Sequence, residues 1–201
     1  MQKIPLMSLV VVSLVSIHPF AAGAGPLDSP GAQKSLVCSA CHGFGGNSPG
    51  NHVPILAGMN PDYFKKAIKD YAEGKRPSPE MEPYSKYVLQ SGLDEIAGFF
   101  AGQKIATAGK GKIDAKAASR GAALAAQCAA CHGPKGEGDT ARITPALRGQ
   151  PAGFLHAQIA QFAGDKRKLE DAGSDETKKR IFKGLADKDF ADLAAHYASL
   201  K

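Results

Sequence analysis

The chain has 201 residues, 43% of them hydrophobic and 22% charged, with a formal net charge of +6. That balance excludes a disordered tract and a bundle of membrane-spanning helices. Trp is absent and aromatics make up 7%. A core built mostly from Ala, Leu, Ile and Val then needs a staple, such as a disulfide, a metal or a bound group.

Residues 1–24 read as an export signal. Lys3 supplies the positive start, residues 4–17 the apolar run, and Ala22-Gly23-Ala24 a small-x-small cleavage site. The run is too short to span a bilayer, which takes ~20 residues. Cleavage after Ala24 and delivery to the periplasm are therefore expected. A short helix over 32–38 leads into Cys38-Ser39-Ala40-Cys41-His42, and a Gly- and Pro-rich loop follows. A middle helix is predicted over Pro61–Ala72 and a closing helix over Leu93–Ala101. Residues 104–117, rich in Gly, Ala and Lys, read as a linker.

The same order then recurs. A helix over 117–128 leads into Cys128-Ala129-Ala130-Cys131-His132, followed by a second Gly- and Pro-rich loop. The middle helix covers 152–162, with Phe154, Leu155, Ile159 and Phe162 on one face. The closing helix covers Asp187–Ser199, with Phe190, Leu193, Ala194 and Tyr197 on one face. No run alternates as a strand does, so the fold class is all-α.

Self-comparison makes this a duplication. Cys41-His42-Gly43 answers Cys131-His132-Gly133 at an offset of 90, and residues 54–76 lie over 145–167 at an offset of 91. Seven of those 23 pairs are identical, among them Pro54/Pro145, Leu56/Leu147, Gly58/Gly149 and Arg76/Arg167. Chance at average amino-acid usage gives about one or two. Two similar domains, 25–103 and 118–201, are the simple reading. Their charges differ: 7 basic and 8 acidic side chains in residues 25–103, against 17 and 11 in 104–201. A basic half steers toward an acidic partner. Without interleaved aromatic and basic residues it does not indicate nucleic acid.

All four Cys belong to the two C-x-x-C-H boxes. The spacing suits covalent haem: each sulfur adds to one vinyl group of the porphyrin, and the adjoining imidazole is carried under the ring to bind iron. A zinc ribbon wants its C-x-x-C pairs about 15–20 residues apart, and here 86 residues separate Cys41 from Cys128. A thioredoxin-like dithiol needs a βαβ pattern, and plain disulfides leave both His unexplained. The expected cofactors are two covalently bound haem c groups, on Cys38, Cys41 and His42 and on Cys128, Cys131 and His132. These groups also supply the apolar surface that the core lacks.

These boxes stand with Pro-x-Leu-x-Gly at 54–58 and 145–149 and with Gly-Lys-Arg and Asp-Lys-Arg at 74–76 and 165–167. The closing motif Leu-Ala-Asp-Lys-Asp-Phe-Ala-Asp-Leu-Ala-Ala-His-Tyr occupies 185–197. Together they make the mature chain resemble, over nearly its whole length, the dihaem cytochromes c of the cytochrome c4 type. That group is related to the cytochrome subunit of flavocytochrome c sulfide dehydrogenase. The resemblance implies two tandem class I cytochrome c-like domains, each wrapped around one haem. It implies that the carbonyls of Pro54 and Pro145 hold the haem His. It also implies a Met thioether as the sixth iron ligand, on a loop before each closing helix.

Met81, in Pro79-Glu-Met-Glu-Pro83, fits that role in the first copy, while Met59 matches Gln150 and reads as structural. No Met lies beyond residue 81, so the second copy departs from the pattern. Counting back from Leu185, taken as the counterpart of Leu89, gives Thr177 or Lys178 at the Met81 position. Lys178 or Lys179 as a neutral amine, an open or water-filled site, and His156 or His196 remain as alternatives. The two His read as surface residues.

The expected function is single-electron transfer between redox partners. The resemblance implies a quinol-oxidising cytochrome complex, a terminal oxidase or a flavoprotein dehydrogenase. The competing expectation is an enzyme or small-ligand-binding protein acting at an open second iron.

Overall fold

The structure, a computed structural model, describes residues 28–106 and 112–200. The expected export signal and part of the expected linker lie outside these residues. Among the described residues there is no β-strand and no helix long and apolar enough to cross a membrane.

The first half opens with two short helices, α1 (Pro30–Lys34) and α2 (Leu36–His42). Ser29 caps α1 by accepting from Ala32 N at 3.1 Å, and Pro30 at the first position has no N–H to lose. The middle helix α3 (Pro61–Ala72) starts in the same way, with Asn60 Oδ1 accepting from Tyr63 N at 2.8 Å. Then come α4 (Met81–Ser91) and α5 (Leu93–Ala101). The second half runs α6 (Ala115–Leu124), α7 (Ala129–His132), α8 (Ala152–Ala163), α9 (Ala172–Phe182) and α10 (Asp187–Ser199). Asp114 and Asp171 cap α6 and α9.

Three differences from the sequence reading have local causes. The helix expected over 32–38 breaks at Ser35 and continues through the whole C-x-x-C-H box. Helix α6 begins at Ala115, inside the stretch read as linker, because Asp114 offers its first amides a carboxylate. Met81 is not on a loop: it is the first residue of α4. Pro83 falls within the first turn, where backbone N–H groups have no helical partner, so it does not break the helix.

In each half an opening helix crosses the closing helix, α1 on α5 and α6 on α10. A glycine marks each crossing. A Cβ on Gly31 would run into the backbone of Glu95, and one on Gly121 into the backbone of Asp192. The two glycines are 90 residues apart, the offset of the haem boxes. The first core joins Leu56, Phe64, Ile68, Val88, Ile96, Ala97 and Phe100. The second is thinner and gathers Ala125, Leu155, Leu193, Ala194 and Tyr197.

The halves meet along the loops after the boxes. Gln150 donates to Ile55 O at 2.9 Å and accepts from Ile55 N at 3.0 Å. Phe154 N donates to Asn51 O at 2.9 Å, and Gln161 Nε2 to Pro77 O at 3.0 Å.

Candidate functional site

Each box occupies one helical turn. Residues three apart lie on the same side of a helix, so Cys38 and Cys41 on α2, and Cys128 at the N-cap of α7 with Cys131 on it, present paired sulfurs. None of the four thiols is in a disulfide. Burial, reinforced by Cys41, pushes the Cys38 thiol up to about 11, so it stays protonated. Immediately after each imidazole the chain turns out at Gly43 and Gly133, with φ of 71° and 78°. Side chains rarely adopt that conformation.

His42 and His132 are buried, and each ring Nδ1 donates to a proline carbonyl: His42 to Pro54 O and His132 to Pro145 O, both at 2.9 Å. A carbonyl only accepts, so Nδ1 carries the proton and Nε2 keeps its lone pair. Burial lowers the pKa of both rings against the opposing effect of those bonds, and His132 falls to about 4. Both imidazoles are therefore neutral, as metal coordination requires.

Both imidazoles and all four thiols border one continuous cavity of about 1660 Å³, shared by the two halves. That is larger than a usual small-molecule pocket of roughly 300–1,000 Å³. Met59 and Met81 line it from the first half, and both pack against the first core. The second half contributes Leu147, Leu155, Ile159, Phe162, Leu193 and Tyr197. An apolar chamber with two thiols and a neutral imidazole on each wall fits two haem c groups.

The counterpart of Met81 differs from the sequence count. Helices α4 and α9 have 11 residues each and begin 91 residues apart, which sets Ala172 opposite Met81. The count from Leu185 lands within α9 instead of at its start because Leu185 lies three residues past the end of α9, whereas Leu89 lies inside α4. Ala172 has no donor atom. Lys178, further along α9, borders the cavity, and its Nζ lies 3.6 Å from the centre of the Phe162 ring. Burial, together with the charge of Arg167, holds its amine down to about 8. Lys179 points elsewhere, to Asp175 at 3.2 Å and Asp165 at 3.4 Å. His156 pairs with Asp187 at 2.8 Å, and His196 packs edge-on to Tyr197 beside α6.

Further residues of the cavity were not recognised from the sequence as a group. Arg76 and Arg167 stood out there as repeat matches and as the ends of two shared motifs, with no site role, yet both are buried at the seam with Tyr63 and Gln158. Burial alone would raise the Tyr63 phenol, but Arg76, Arg167 and Lys178 outweigh it and hold it down to about 8. Their repetition and the nearby aromatics were the available signal, and the missing information was that the two copies face each other.

Covalent haem alone uses both thiols and the adjoining imidazole of each box, so the chain is a dihaem c-type cytochrome. The cytochrome c family profile matches residues 118–201. A cytochrome c4 of Pseudomonas aeruginosa is 30% identical and aligns over 100% of both chains. A thiosulfate dehydrogenase electron acceptor of Stutzerimonas stutzeri is 28% identical over 95% of this chain and 92% of its own. The crystal structure of reduced recombinant cytochrome c4 from Pseudomonas stutzeri superposes with a TM-score of 0.75 at 28% identity, covering 85% of this chain and 97% of the other. The chain belongs to the cytochrome c4 family of dihaem electron carriers.

Proposed function

We propose that this cytochrome is a periplasmic one-electron carrier whose two irons have different ligand sets. Cys38 and Cys41 hold one haem and Cys128 and Cys131 the other, with His42 and His132 as the fifth ligands. Met81 is the sixth ligand in the first half and the neutral amine of Lys178 in the second. When bound, each haem supplies one-electron iron redox chemistry. The protein does the rest. Pro54 and Pro145 fix the imidazoles and raise their basicity. The apolar walls keep water away. A thioether favours the reduced iron relative to harder donors, so the first half has the higher potential and internal transfer has a direction.

The observation that carries this reading is the repeated His–Pro carbonyl bond, 2.9 Å in both halves, on imidazoles that border one cavity. Lys178 is favoured over an open site because its amine already reaches into that cavity beside Phe162. This also weakens the reading as a haem enzyme at an open second iron. Relatives named as thiosulfate dehydrogenase electron acceptors favour a dehydrogenase as donor. The residues 1–24 signal supports the periplasm.

The test is a potentiometric titration of the purified protein with optical detection. Two reversible one-electron steps at separated midpoints are expected, with no rapid binding of carbon monoxide by the reduced form. Rapid carbon monoxide binding at one haem would contradict the carrier reading.

A further inference from the structure

Helix α2 carries an apolar strip on the outside of the first half. Leu36 is 46% exposed and Val37 38%. Ala40 and Cys41, one helical turn on, are exposed on the same side. Phe44, 58% exposed, stands just past the turn at Gly43. The strip contains Cys41, so the haem carried on that sulfur is bonded to this face. The same positions of the second half, at the offset of 90, are exposed as well. There they hold Ala126, Gln127, Ala130 and Pro134. The backbone exposes both faces alike, and the side chains alone make the first one apolar.

Charge separates the two faces further. Residues 35–61 contain no Asp, Glu, Lys or Arg, whereas the corresponding residues 125–152 carry Lys135, Glu137, Asp139, Arg142 and Arg148. Lys34, the charge just before the strip in sequence, is paired with Glu95 at 2.6 Å. A charged partner surface would lose hydration against this face and find no counter-charge. An uncharged apolar surface avoids that loss and gains burial. Weak electron-transfer encounters need little area, less than about 1,200 Å², so a strip on one helix and the turn after it suffices.

We propose that Leu36, Val37, Ala40 and Phe44 form the docking face for an electron acceptor, a redox protein whose own centre opens on an uncharged apolar surface. This deepens the carrier reading and rests on it. With the first half at the higher potential, the electron leaves there. One electron passes from the first iron, which is oxidised from ferrous to ferric, to the acceptor's centre, which is reduced by one. No proton or group is transferred.

The experiment mixes the fully reduced protein, its two haems counted and their midpoints measured, with an oxidised blue-copper protein whose copper site opens on an uncharged apolar face. Stopped-flow absorbance follows the transfer to copper. A second blue-copper protein, with acidic residues around its copper site, is the comparison. Val37→Gln places there the residue type that the second half already folds with at Gln127, and Phe44→Gln changes the most exposed ring. Each should slow the reaction with the apolar-faced protein by about five- to tenfold and leave that with the acidic protein unchanged. The wild-type rate with the apolar-faced protein should change little with ionic strength. The proposal is overturned if both variants react with that protein at the wild-type rate, or if the wild-type rate falls with salt as steeply as with the acidic protein. It is also overturned if sedimentation shows a wild-type dimer that both variants disrupt, which assigns the face to a second copy. Binding of wild type, but not of Phe44→Gln, to neutral phosphatidylcholine vesicles overturns it in favour of a membrane surface. A wild-type protein that reduces neither copper protein overturns the carrier reading itself, and the proposal with it.

Discussion

At the scale of single residues, the two halves agree where bonds to haem constrain them and diverge where they do not. The paired Cys, the imidazole and its proline carbonyl all repeat, the His–Pro bond at 2.9 Å in both halves. The Cys and His of each box were legible before the structure because they adjoin in sequence, whereas the carbonyl partner came from the family resemblance. In the proposed ligand set the sixth position depends on a separate helix, α4 or α9, whose alignment with the rest of its half the sequence does not fix. Met81→Ala should abolish the weak long-wavelength absorption band of a Met-ligated ferric haem and leave the second haem unchanged. Survival of the band would move the role to Met59. Lys178→Ala should convert the second haem from low-spin to high-spin in the electron paramagnetic resonance spectrum, and leave the Met band intact.

At the scale of elements, α3, α5 and α10 have the boundaries that their apolar periodicity and caps suggested. Helices α4 and α9 were missed. The prolines around Met81 look like loop punctuation, yet Pro83 sits in the one turn where proline costs nothing. In α9 the run Ser174–Arg180 is entirely polar, because its inner side faces the cavity and the seam instead of a continuous protein core. The glycine crossings carry the packing of each half. Gly121→Ala drives a methyl into the Asp192 carbonyl and to 2.9 Å from His196 Cβ. Such overpacking costs about 1–3 kcal/mol, so the melting temperature should fall by several degrees.

Asp192, 2% exposed on α10, is tied to Arg120 by two bonds of 2.6 Å and to Lys188 at 2.8 Å. Arg120 first, then Lys188, holds its carboxyl down from 3.8 to about 2. A depressed carboxylate stabilises the fold above its unfolded pKa, and that contribution is lost as pH falls toward the folded value. Asp192→Asn should therefore melt lower than wild type at neutral pH. The difference should shrink as pH falls through 3.8 toward about 2. A constant difference across that range would place the effect in packing instead of charge.

At the scale of the whole molecule, duplication was legible because the haem boxes and the stretch after them keep their spacing. That the copies face each other across one cavity was not. Arg76 and Arg167 in a single copy are ordinary basic residues at a helix end, and they acquire a shared acceptor only when Gln158 lies between the halves. The basic excess of the second half remains a long-range feature that favours an acidic partner at low ionic strength.

The central claim is that two fused haem domains of common origin hold their irons differently. Electron paramagnetic resonance of the fully oxidised protein, recorded beside its optical spectrum, tests this most directly. The proposed ligand set predicts two low-spin ferric haems, with a Met-ligation band whose intensity accounts for one of them. A high-spin second haem, or a Met band that accounts for both, would contradict it.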